Sequence, residues 1–354
     1  MEPLADGKKP AVLLVGNFLS AALGTRGVCE DLAVGLRAAG WSVITTSSRL
    51  SRVVRLVDFL MTVWRERNRY EIALVDVYSG QAFLWAELVC LALRILRKPY
   101  VLTLHGGNLP VFAKRSGGRV KHLLQSASVV TTPSPYLLEQ MNAYRSDLVL
   151  LPNSLDLARY QFRHRSHPKV TLVWLRAFHH LYNPSLAVKV VALLATHYPA
   201  IKLLMIGPDK GDGSRAAMMS LAQELGVHER VTCPGMVPKS ETARWLQQGD
   251  IFLNTTRVDN TPVSVLEAMA CGLCIVNTNV GGIPYLLENE YDALLVPDDD
   301  AAAMAEAVRR LITEDGLAAR LSYNGRRTVE EFGWSKILPK WEDLFIRVAE
   351  EFRS

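Results

Sequence analysis

Two carboxylates, Asp259 and Glu267, lie eight positions apart across the start of a predicted helix. Residues 251–255 before them form a short apolar strand pattern, and Thr261 and Pro262 suit a helix start, with a hydroxyl at the N-cap and proline at the first helical position. Where a helix follows a strand directly, free backbone amides point into the connecting loop and favour a diphosphate. Asp259 and Glu267 can then accept hydrogen bonds from sugar or ribose hydroxyls. The run predicts a sugar-nucleotide site.

A glycine-rich loop, residues 16–27, follows the first predicted strand and precedes a helical pattern at 28–39. Its glycine spacing differs from that of a dinucleotide fingerprint, so the signal is weak. Two interpretations stay open, an ordinary strand-to-helix turn or a border of the diphosphate or acceptor site. The second interpretation involves Gly24, Thr25, Arg26 and Gly27.

His105 follows the apolar strand pattern at 100–104 and precedes two glycines. A lone histidine is usually structural, but this one lies at the carboxyl end of a buried strand, before two glycines that let a ligand approach the backbone closely. We therefore predict that His105 contacts the substrate, with Gly106 and Asn108 beside it.

Arg176 lies in the loop after the first strand of the second half of the chain. Its guanidinium can clamp a diphosphate in bidentate fashion, and the alternative is an ion pair at a domain interface. His179 and His180 are interpreted as solvated loop residues, because no matching ligand pair for zinc is evident. The acidic run 298–300 is interpreted as a helix N-terminus, where acids favour the helix dipole. Nothing in the sequence requires a metal.

The elements that must position these loops alternate along the chain. Short apolar runs rich in β-branched residues alternate with longer helical patterns, which predicts an α/β fold of two doubly wound domains facing each other across a cleft. The predicted domains are 1–160 and 161–333, with residues 159–169 as a polar linker, followed by a helix at 334–354 that packs back across the cleft. The twelve predicted strands are 11–15, 41–46, 72–77, 100–104, 129–132, 148–151, 170–175, 201–206, 231–233, 251–254, 274–277 and 294–296.

The charge of the chain is unevenly distributed. Residues 1–165 carry 21 Lys and Arg against 12 Asp and Glu, whereas residues 166–354 carry 19 against 23. A basic first half suggests phosphates or a membrane surface as partner, and no motif supports nucleic-acid binding. The five cysteines, including the structural pair Cys271 and Cys274, favour a reducing compartment. With no signal-peptide pattern, we expect a cytoplasmic protein.

Residues 49–70 interleave six arginines with apolar side chains. A basic amphipathic helix of this kind can lie on anionic lipid at the inner face of the cell membrane. An ordinary sheet-covering helix with solvated arginines explains the pattern equally well, so both interpretations stay open.

Taken together, these residues resemble the GT-B-fold glycosyltransferases of family 4, the retaining nucleotide-sugar transferases, over nearly the whole chain. The most specific part is the run from Asp259 to Gly272 with residues 277–282 after it, which looks like the paired-acid motif of that family. His105 with Gly106 matches its N-domain histidine, and residues 205–209 and 234–235 fall at its short glycine turns beside the nucleobase. The resemblance implies two Rossmann-like domains.

The resemblance also implies roles for individual residues. Glu267 binds the donor ribose, Asp259 the hydroxyls of the donor sugar, and Arg176 the diphosphate. His105 contacts the transferred sugar, and His105, Asp259 and Glu267 are the expected catalytic residues. The implied donor-binding set is Arg176, Gly207, Pro208, Asn260, Thr261, Val263 and Glu267.

Three departures from the family pattern stand out. The first acid is Asp259 instead of glutamate, and the usual Gly-Phe-Gly after it is replaced by residues 260–262, which removes one amide donor. The lysine expected a few residues after the arginine is also absent, with residues 181–183 in its place. Diphosphate neutralisation would then rest on Arg176, helix amides and a basic residue of the other domain.

The implied reaction transfers a sugar from a nucleoside-diphosphate sugar to a hydroxyl of a glycan or lipid-linked acceptor, as in polysaccharide biosynthesis. Retention follows from the resemblance alone, and fixed donors instead of a metal or cofactor stabilise the leaving diphosphate. The sequence offers no evident Asp–His base dyad, which a front-face mechanism does not need. A nucleotide-sugar 2-epimerase of the same fold and a non-catalytic nucleotide-sugar-binding protein remain alternatives.

Overall fold

The computed structural model describes residues 9–20 and 27–353, so the predicted site residues Gly24, Thr25 and Arg26 lie outside the described residues. The chain divides into two compact units, one formed by Met1–Ser154 with Trp334–Ser354 and the other by Leu155–Gly333. Each unit is built on one parallel six-stranded sheet.

The first unit has the strand order β2-β1-β3-β4-β5-β6. Its strands are β1 (Val12–Val15), β2 (Val43–Thr46), β3 (Ile72–Val77), β4 (Tyr100–Leu104), β5 (Val129–Thr132) and β6 (Val149–Leu150). The helices described in this unit are α1 (Val28–Ala38), α2 (Arg52–Arg65), α3 (Gln81–Ile95), α4 (Leu109–Arg115), α5 (Gly117–Gln125), α6 (Pro135–Met141) and the C-terminal α14 (Trp334–Arg353).

The second unit has the strand order β12-β11-β10-β7-β8-β9. Its strands are β7 (Thr171–Leu175), β8 (Lys202–Ile206), β9 (Val231–Gly235), β10 (Ile251–Asn254), β11 (Cys274–Thr278) and β12 (Leu294–Val296). Its helices are α7 (Pro184–Ala195), α8 (Ser214–Glu224), α9 (Thr242–Leu246), α10 (Val263–Ala270), α11 (Ile283–Leu286), α12 (Ala301–Thr313) and α13 (Leu317–Glu330).

All twelve predicted strands are present, each with ends within two residues of the prediction. Parallel strands covered by helices on both faces are buried and mostly apolar, and β1, β4 and β10 are buried at every position. The predicted α/β class with two doubly wound domains is therefore confirmed. None of the helices in the described ranges is long and apolar enough to cross a membrane.

The predicted domain boundary at residue 160 is wrong by six residues, and the predicted linker is not a free linker. Leu155 and Tyr160 are buried in the core of the second unit. Arg165 is 2% exposed and forms an ion pair with Asp250, whose carboxylate also pairs with Arg163 at 2.6 Å. Most side chains of residues 159–169 are exposed, as their polar composition suggested, but Tyr160 and Arg165 anchor the segment to the second unit, where the Asp250 carboxylate before β10 balances the buried charge of Arg165.

The C-terminal helix α14 packs on the first unit. Its buried face joins the cluster that contains β1 and α1 side chains, and the Trp41 indole donates to the Glu342 carboxylate at 2.7 Å. The apolar residues that form this face are Ile337, Trp341, Leu344, Phe345 and Val348.

Candidate active site

The loop between β10 and α10 carries the two predicted acids of the second unit. Helix α10 begins at Val263 with Pro262 as its N-cap, one residue later than predicted, because Pro262 has an extended backbone. The Gly282 amide donates to the Asp259 carbonyl at 2.9 Å. A Cβ on Gly282 would lie 2.1 Å from the Asn260 carbonyl oxygen, so only glycine fits against this loop. The turn after β11 therefore fixes the position of Asp259.

Arg176 and Asp259 form a buried ion pair within the second unit. The Arg176 guanidinium donates to the Asp259 carboxylate and lies 4.1 Å from the centroid of the Tyr182 ring. Burial raises the pKa of Asp259 above its ordinary value, and the positive charge of Arg176 opposes that shift. The pair connects the loop after β7 with the loop after β10, as the carboxyl ends of neighbouring parallel strands allow.

Two buried polar atoms beside this loop have no hydrogen-bond partner within the described part of the chain. They are Arg176 Nε and Ser264 Oγ, the latter on the first turn of α10. Buried donors without partners are rare in folded proteins because each carries a desolvation cost of about 1–3 kcal/mol. Ser264 lies on the first turn of α10, whose amides favour an anion, and Arg176 contacts Asp259 in the loop that leads to this helix. The geometry suits a phosphate oxygen at this edge of the sheet.

Gly207 and Pro208 support the Arg176 loop from the neighbouring strand β8. The Arg176 amide donates to the Ile206 carbonyl at 3.0 Å, and the Phe178 amide donates to the Pro208 carbonyl at 2.8 Å. Gly207 has a φ of 148°, and a Cβ there would lie 1.8 Å from the Arg176 carbonyl oxygen. Glycine is therefore required where the two loops meet.

Glu267 is buried on α10, and one of its carboxylate oxygens is paired. Its Oε1 accepts a hydrogen bond from the Tyr160 hydroxyl at 2.5 Å and forms an ion pair with Lys239. The sequence analysis found neither partner, because Tyr160 precedes Glu267 by 107 residues and Lys239 lies in a short turn after β9. A buried carboxylate costs free energy unless it is paired, so the burial of Glu267 implied that partners exist without identifying them.

In the first unit, His105 lies at the end of β4 as predicted. Its Nε2 is 3.0 Å from Asp76 Oδ1 on the neighbouring strand β3, and both side chains are less than a tenth exposed. The ring stacks on Tyr78 with 5.1 Å between centroids. With Nε2–H donated to Asp76, the neutral ring carries its lone pair on Nδ1. The sequence offered no evident Asp–His pair, and the structure shows this one; the carboxylate of Asp76 inside the apolar strand pattern 72–77 was the signal for it.

Asp76 is also contacted from its other side. The Cys29 thiol lies against it, and burial followed by the negative charge of Asp76 raises the pKa of Cys29 far above its ordinary value. A Cβ on Gly16, the residue after β1, would lie 2.6 Å from Asp76 Oδ2. Gly16 and a protonated Cys29 therefore enclose the carboxylate that holds His105.

The remaining predicted positions of the first unit lie close to β4 and α1. Gly106 has a φ of 85° and turns the chain after His105, and Asn108 is the N-cap of α4. Gly27 is the N-cap of α1, but its amide already donates to the Glu30 carboxylate at 2.8 Å. An anion at this helix start would compete with Glu30, which favours the interpretation of Gly27 as an ordinary strand-to-helix turn.

The acidic and histidine-rich loops of the second unit have local partners. Asp300 is the N-cap of α12 and accepts from the Ala303 amide at 2.8 Å, as predicted. One potential ligand atom each of His179, His180 and Asp212 lies within 4.8 Å of the others, so the histidines have a carboxylate neighbour that their spacing along the chain did not reveal. The Asp212 carboxylate, however, accepts hydrogen bonds from the His180 and Ser214 amides, and hydrogen bonding holds its pKa well below the usual range. These hydrogen bonds explain why the three side chains lie together: Asp212 orders the loop.

Comparison with known proteins identifies the class of protein that has this fold and these loops. A model described as glycosyl transferases group 1 matches residues 157–328, and one described as glycosyltransferase family 4 matches residues 42–159. Sucrose-phosphate synthase from Thermosynechococcus elongatus superposes with a TM-score of 0.78 at 20% identity, over 96% of this chain and 99% of that one. HepE from Anabaena, solved with UDP and glucose, superposes with a TM-score of 0.76 at 14% identity, over 96% of this chain and all of that one.

The fold is therefore the GT-B fold of two Rossmann-like domains. The chain belongs to family 4 of the glycosyltransferases, as the two models that together match most of it indicate. The D-inositol 3-phosphate glycosyltransferase of Streptomyces bingchenggensis is 25% identical over 179 residues, which cover 49% of this chain and 39% of that protein. The chain thus spans about two-fifths of the length of that curated relative.

Proposed function

We propose that the chain transfers a sugar from a nucleoside-diphosphate sugar to an acceptor hydroxyl. The observation that carries this proposal is the buried Arg176 Nε and Ser264 Oγ without partners among the described residues, beside the amides at the start of α10. A diphosphate supplies oxygens that accept from such donors. HepE, solved with UDP and glucose, has the same fold and supports a nucleotide sugar as donor.

The proposed division of labour follows the contacts in each unit. In the second unit Arg176 and the α10 amides stabilise the leaving diphosphate, Glu267 accepts hydrogen bonds from the ribose, and Asp259 accepts them from the donor sugar. His105 in the first unit contacts the transferred sugar through Nδ1. In this proposal the reaction proceeds with retention, which only the family resemblance supports. It needs no metal, because the fixed cations and amides offset the developing charge.

Lys239 is proposed to compensate in part for the lysine that the family has at the position of residues 181–183. Its side chain is 21% exposed, and Lys239 follows β9 at the same carboxyl edge of the second sheet as the diphosphate loop. Paired with Glu267, it adds a positive charge to the nucleotide side of the site.

The acceptor is proposed to be a hydroxyl of a glycan or a lipid-linked molecule, in a polysaccharide pathway at the cytoplasmic face of the membrane. The basic composition of residues 1–165 supports an acceptor or surface that carries negative charge.

The first experiment identifies the donor and then tests Glu267. A thermal-shift panel of UDP-, GDP- and ADP-sugars selects the donor, since a ligand that binds the native state raises its apparent stability. With that donor, we expect Glu267→Gln to lower kcat/KM by about 10–100-fold, the loss of one to two charge-assisted hydrogen bonds. Glu330→Gln, an exposed change on α13, is the control and should keep full activity.

Near-normal turnover by a folded Glu267→Gln protein would contradict the proposal. An epimerised nucleotide sugar formed without acceptor would identify a 2-epimerase instead. Donor binding with neither hydrolysis nor transfer across a broad acceptor panel would identify a non-catalytic binding protein.

A further inference from the structure

Helix α2 exposes a continuous stripe of apolar side chains on the surface of the first unit. Its buried face consists of Arg55, Phe59, Thr62 and Val63, and the opposite face is exposed, with Val53 at 74% and Trp64 at 54%. The exposed apolar residues recur at helical spacing, so they form one stripe along the helix. They are Leu50, Val53, Val54, Val57, Met61 and Trp64.

Helix α3 extends the stripe into a surface. It packs beside α2, with the Phe59 and Trp85 rings 6.3 Å apart between centroids. Its own outward side chains, Leu84, Leu91 and Ile95, are exposed, the last by 67%. Single exposed apolar side chains are ordinary, whereas nine on two adjacent helices form a patch that calls for a partner. We refer to these nine side chains as the α2–α3 surface.

The charges around the α2–α3 surface are almost all positive. Exposed arginines lie on the two helices at positions 52, 65 and 94 and just beyond their carboxyl ends at 69 and 97, and of these Arg65 and Arg69 share Glu66. Every carboxylate between residues 49 and 98 is already engaged within the unit: Asp58 with Thr46, Glu66 with Arg65 and Arg69, Glu71 with Arg353, Asp76 with His105, and Glu87 with Arg119. A partner of complementary chemistry is therefore apolar at its centre and negatively charged at its boundary.

We propose that the α2–α3 surface binds the headgroup boundary of an anionic lipid membrane. Apolar side chains enter the acyl boundary while arginine stems reach the phosphates, and Trp64 has the amphipathic ring that favours this depth. A second copy of the chain on the same face fits less well, because a two-fold contact would place arginines against arginines.

The position of the surface links it to the proposed acceptor. The amino end of α2 lies at the carboxyl edge of the first sheet, where β2 ends, and His105 follows β4 at that same edge. A membrane held by α2 and α3 is thus bound on the unit that carries His105. This consequence rests on the proposed function and favours a lipid-linked acceptor over a free glycan.

Vesicle co-sedimentation of the full chain tests the proposal without any catalytic assay. We expect binding to vesicles that contain phosphatidylglycerol, weak binding to phosphatidylcholine alone, and loss of binding as salt increases. Val57→Asp with Met61→Asp should lower the bound fraction at least about tenfold, since each charge must enter the lipid boundary. Leu193→Asp with Leu225→Asp, on exposed apolar positions of the second unit, is the matched control and should bind like the wild type.

Three results would overturn the proposal. They are no binding to anionic vesicles at low salt, equal binding by both double variants, or a concentration-dependent dimer of the wild type that Val57→Asp with Met61→Asp abolishes. Nucleotide binding should be unchanged in every variant. Vesicle binding without sugar transfer would leave the membrane surface intact and reject only the proposed function.

Discussion

At the scale of single residues, the hydrogen bond between His105 and Asp76 determines which ring nitrogen is available to a ligand. Asp76→Asn weakens the preference for Nε2–H and lets the ring adopt the other tautomer. We expect kcat to fall by about 10–100-fold while nucleotide affinity stays constant, because the proposed nucleotide contacts lie in the other unit. Nitrogen chemical shifts of His105 report the tautomer directly.

Asp147→Asn, an exposed change in the same unit, is the control for Asp76→Asn. An unchanged tautomer together with unchanged kcat would show that Asp76 has only a structural role.

Asp259 and Arg176 predict a pH dependence of nucleotide binding. The pKa of Asp259 is raised, so as pH falls this carboxylate becomes neutral before an ordinary aspartate does and releases Arg176 for the diphosphate. We therefore compare the wild type with Asp259→Asn in their affinity for the selected nucleoside diphosphate. The ratio of wild-type to variant affinity should rise by up to about tenfold per pH unit as pH falls through this pKa. Calorimetry in buffers of different ionisation enthalpy measures the accompanying proton uptake.

Equal proton uptake by wild type and Asp259→Asn would contradict this coupling.

The raised pKa of Asp259 also makes the stability of the protein depend on pH. Between the ordinary and the raised pKa the native state binds more protons than the unfolded state, so the contribution of Asp259 to the free energy of unfolding decreases as pH rises.

At the scale of elements, Gly207 shows how strand order shapes the site. Alanine at this position meets the Arg176 carbonyl oxygen at 1.8 Å and must also keep a positive φ. We expect Gly207→Ala to lower the free energy of unfolding by about 3 kcal/mol or more and to abolish nucleotide binding, because the Arg176 loop must move. Urea unfolding and nucleotide titration measure the two effects.

Gly226→Ala separates steric overlap from backbone strain. Gly226 has a φ of 69° with open space around it, so alanine there should cost only about 1–2 kcal/mol and leave nucleotide binding intact. Similar losses at both positions would mean that the overlap with Arg176 contributes little.

The same elements explain what the sequence could predict. The strands were predictable because each is a local apolar run, and Arg176, His105 and Asp259 were found because each follows such a run. The partners Asp76 and Lys239 were not found, since they pair with His105 and Glu267 across 29 and 28 residues. Such pairs depend on strand order and loop path, which spacing along the chain does not reveal.

At the scale of the whole molecule, α14 completes the first unit although 179 residues of the second unit separate it from Ser154. Full burial of five large side chains contributes roughly 7–15 kcal/mol, comparable with the total stability of a domain. A chain that ends at residue 333 should therefore lose the folded first unit and keep the thermal transition and nucleotide binding of the second. Differential scanning calorimetry distinguishes the two transitions.

A chain that ends at residue 350 retains the buried face of α14 and is the control, expected to melt like the wild type. If the chain ending at 333 kept both transitions, α14 would be dispensable for the first unit.

The return of α14 to the first unit also sets an order of events during synthesis. The ribosome releases residues 155–333 before residues 334–353, so the nucleotide-side domain can fold while the strands of the first sheet still lack their last covering helix. The apolar faces of β1 and α1 stay open to chaperones until residues 334–353 have emerged. A chain stalled before residue 334 would be recognisable to quality control as incomplete, even though its nucleotide-side domain had already folded.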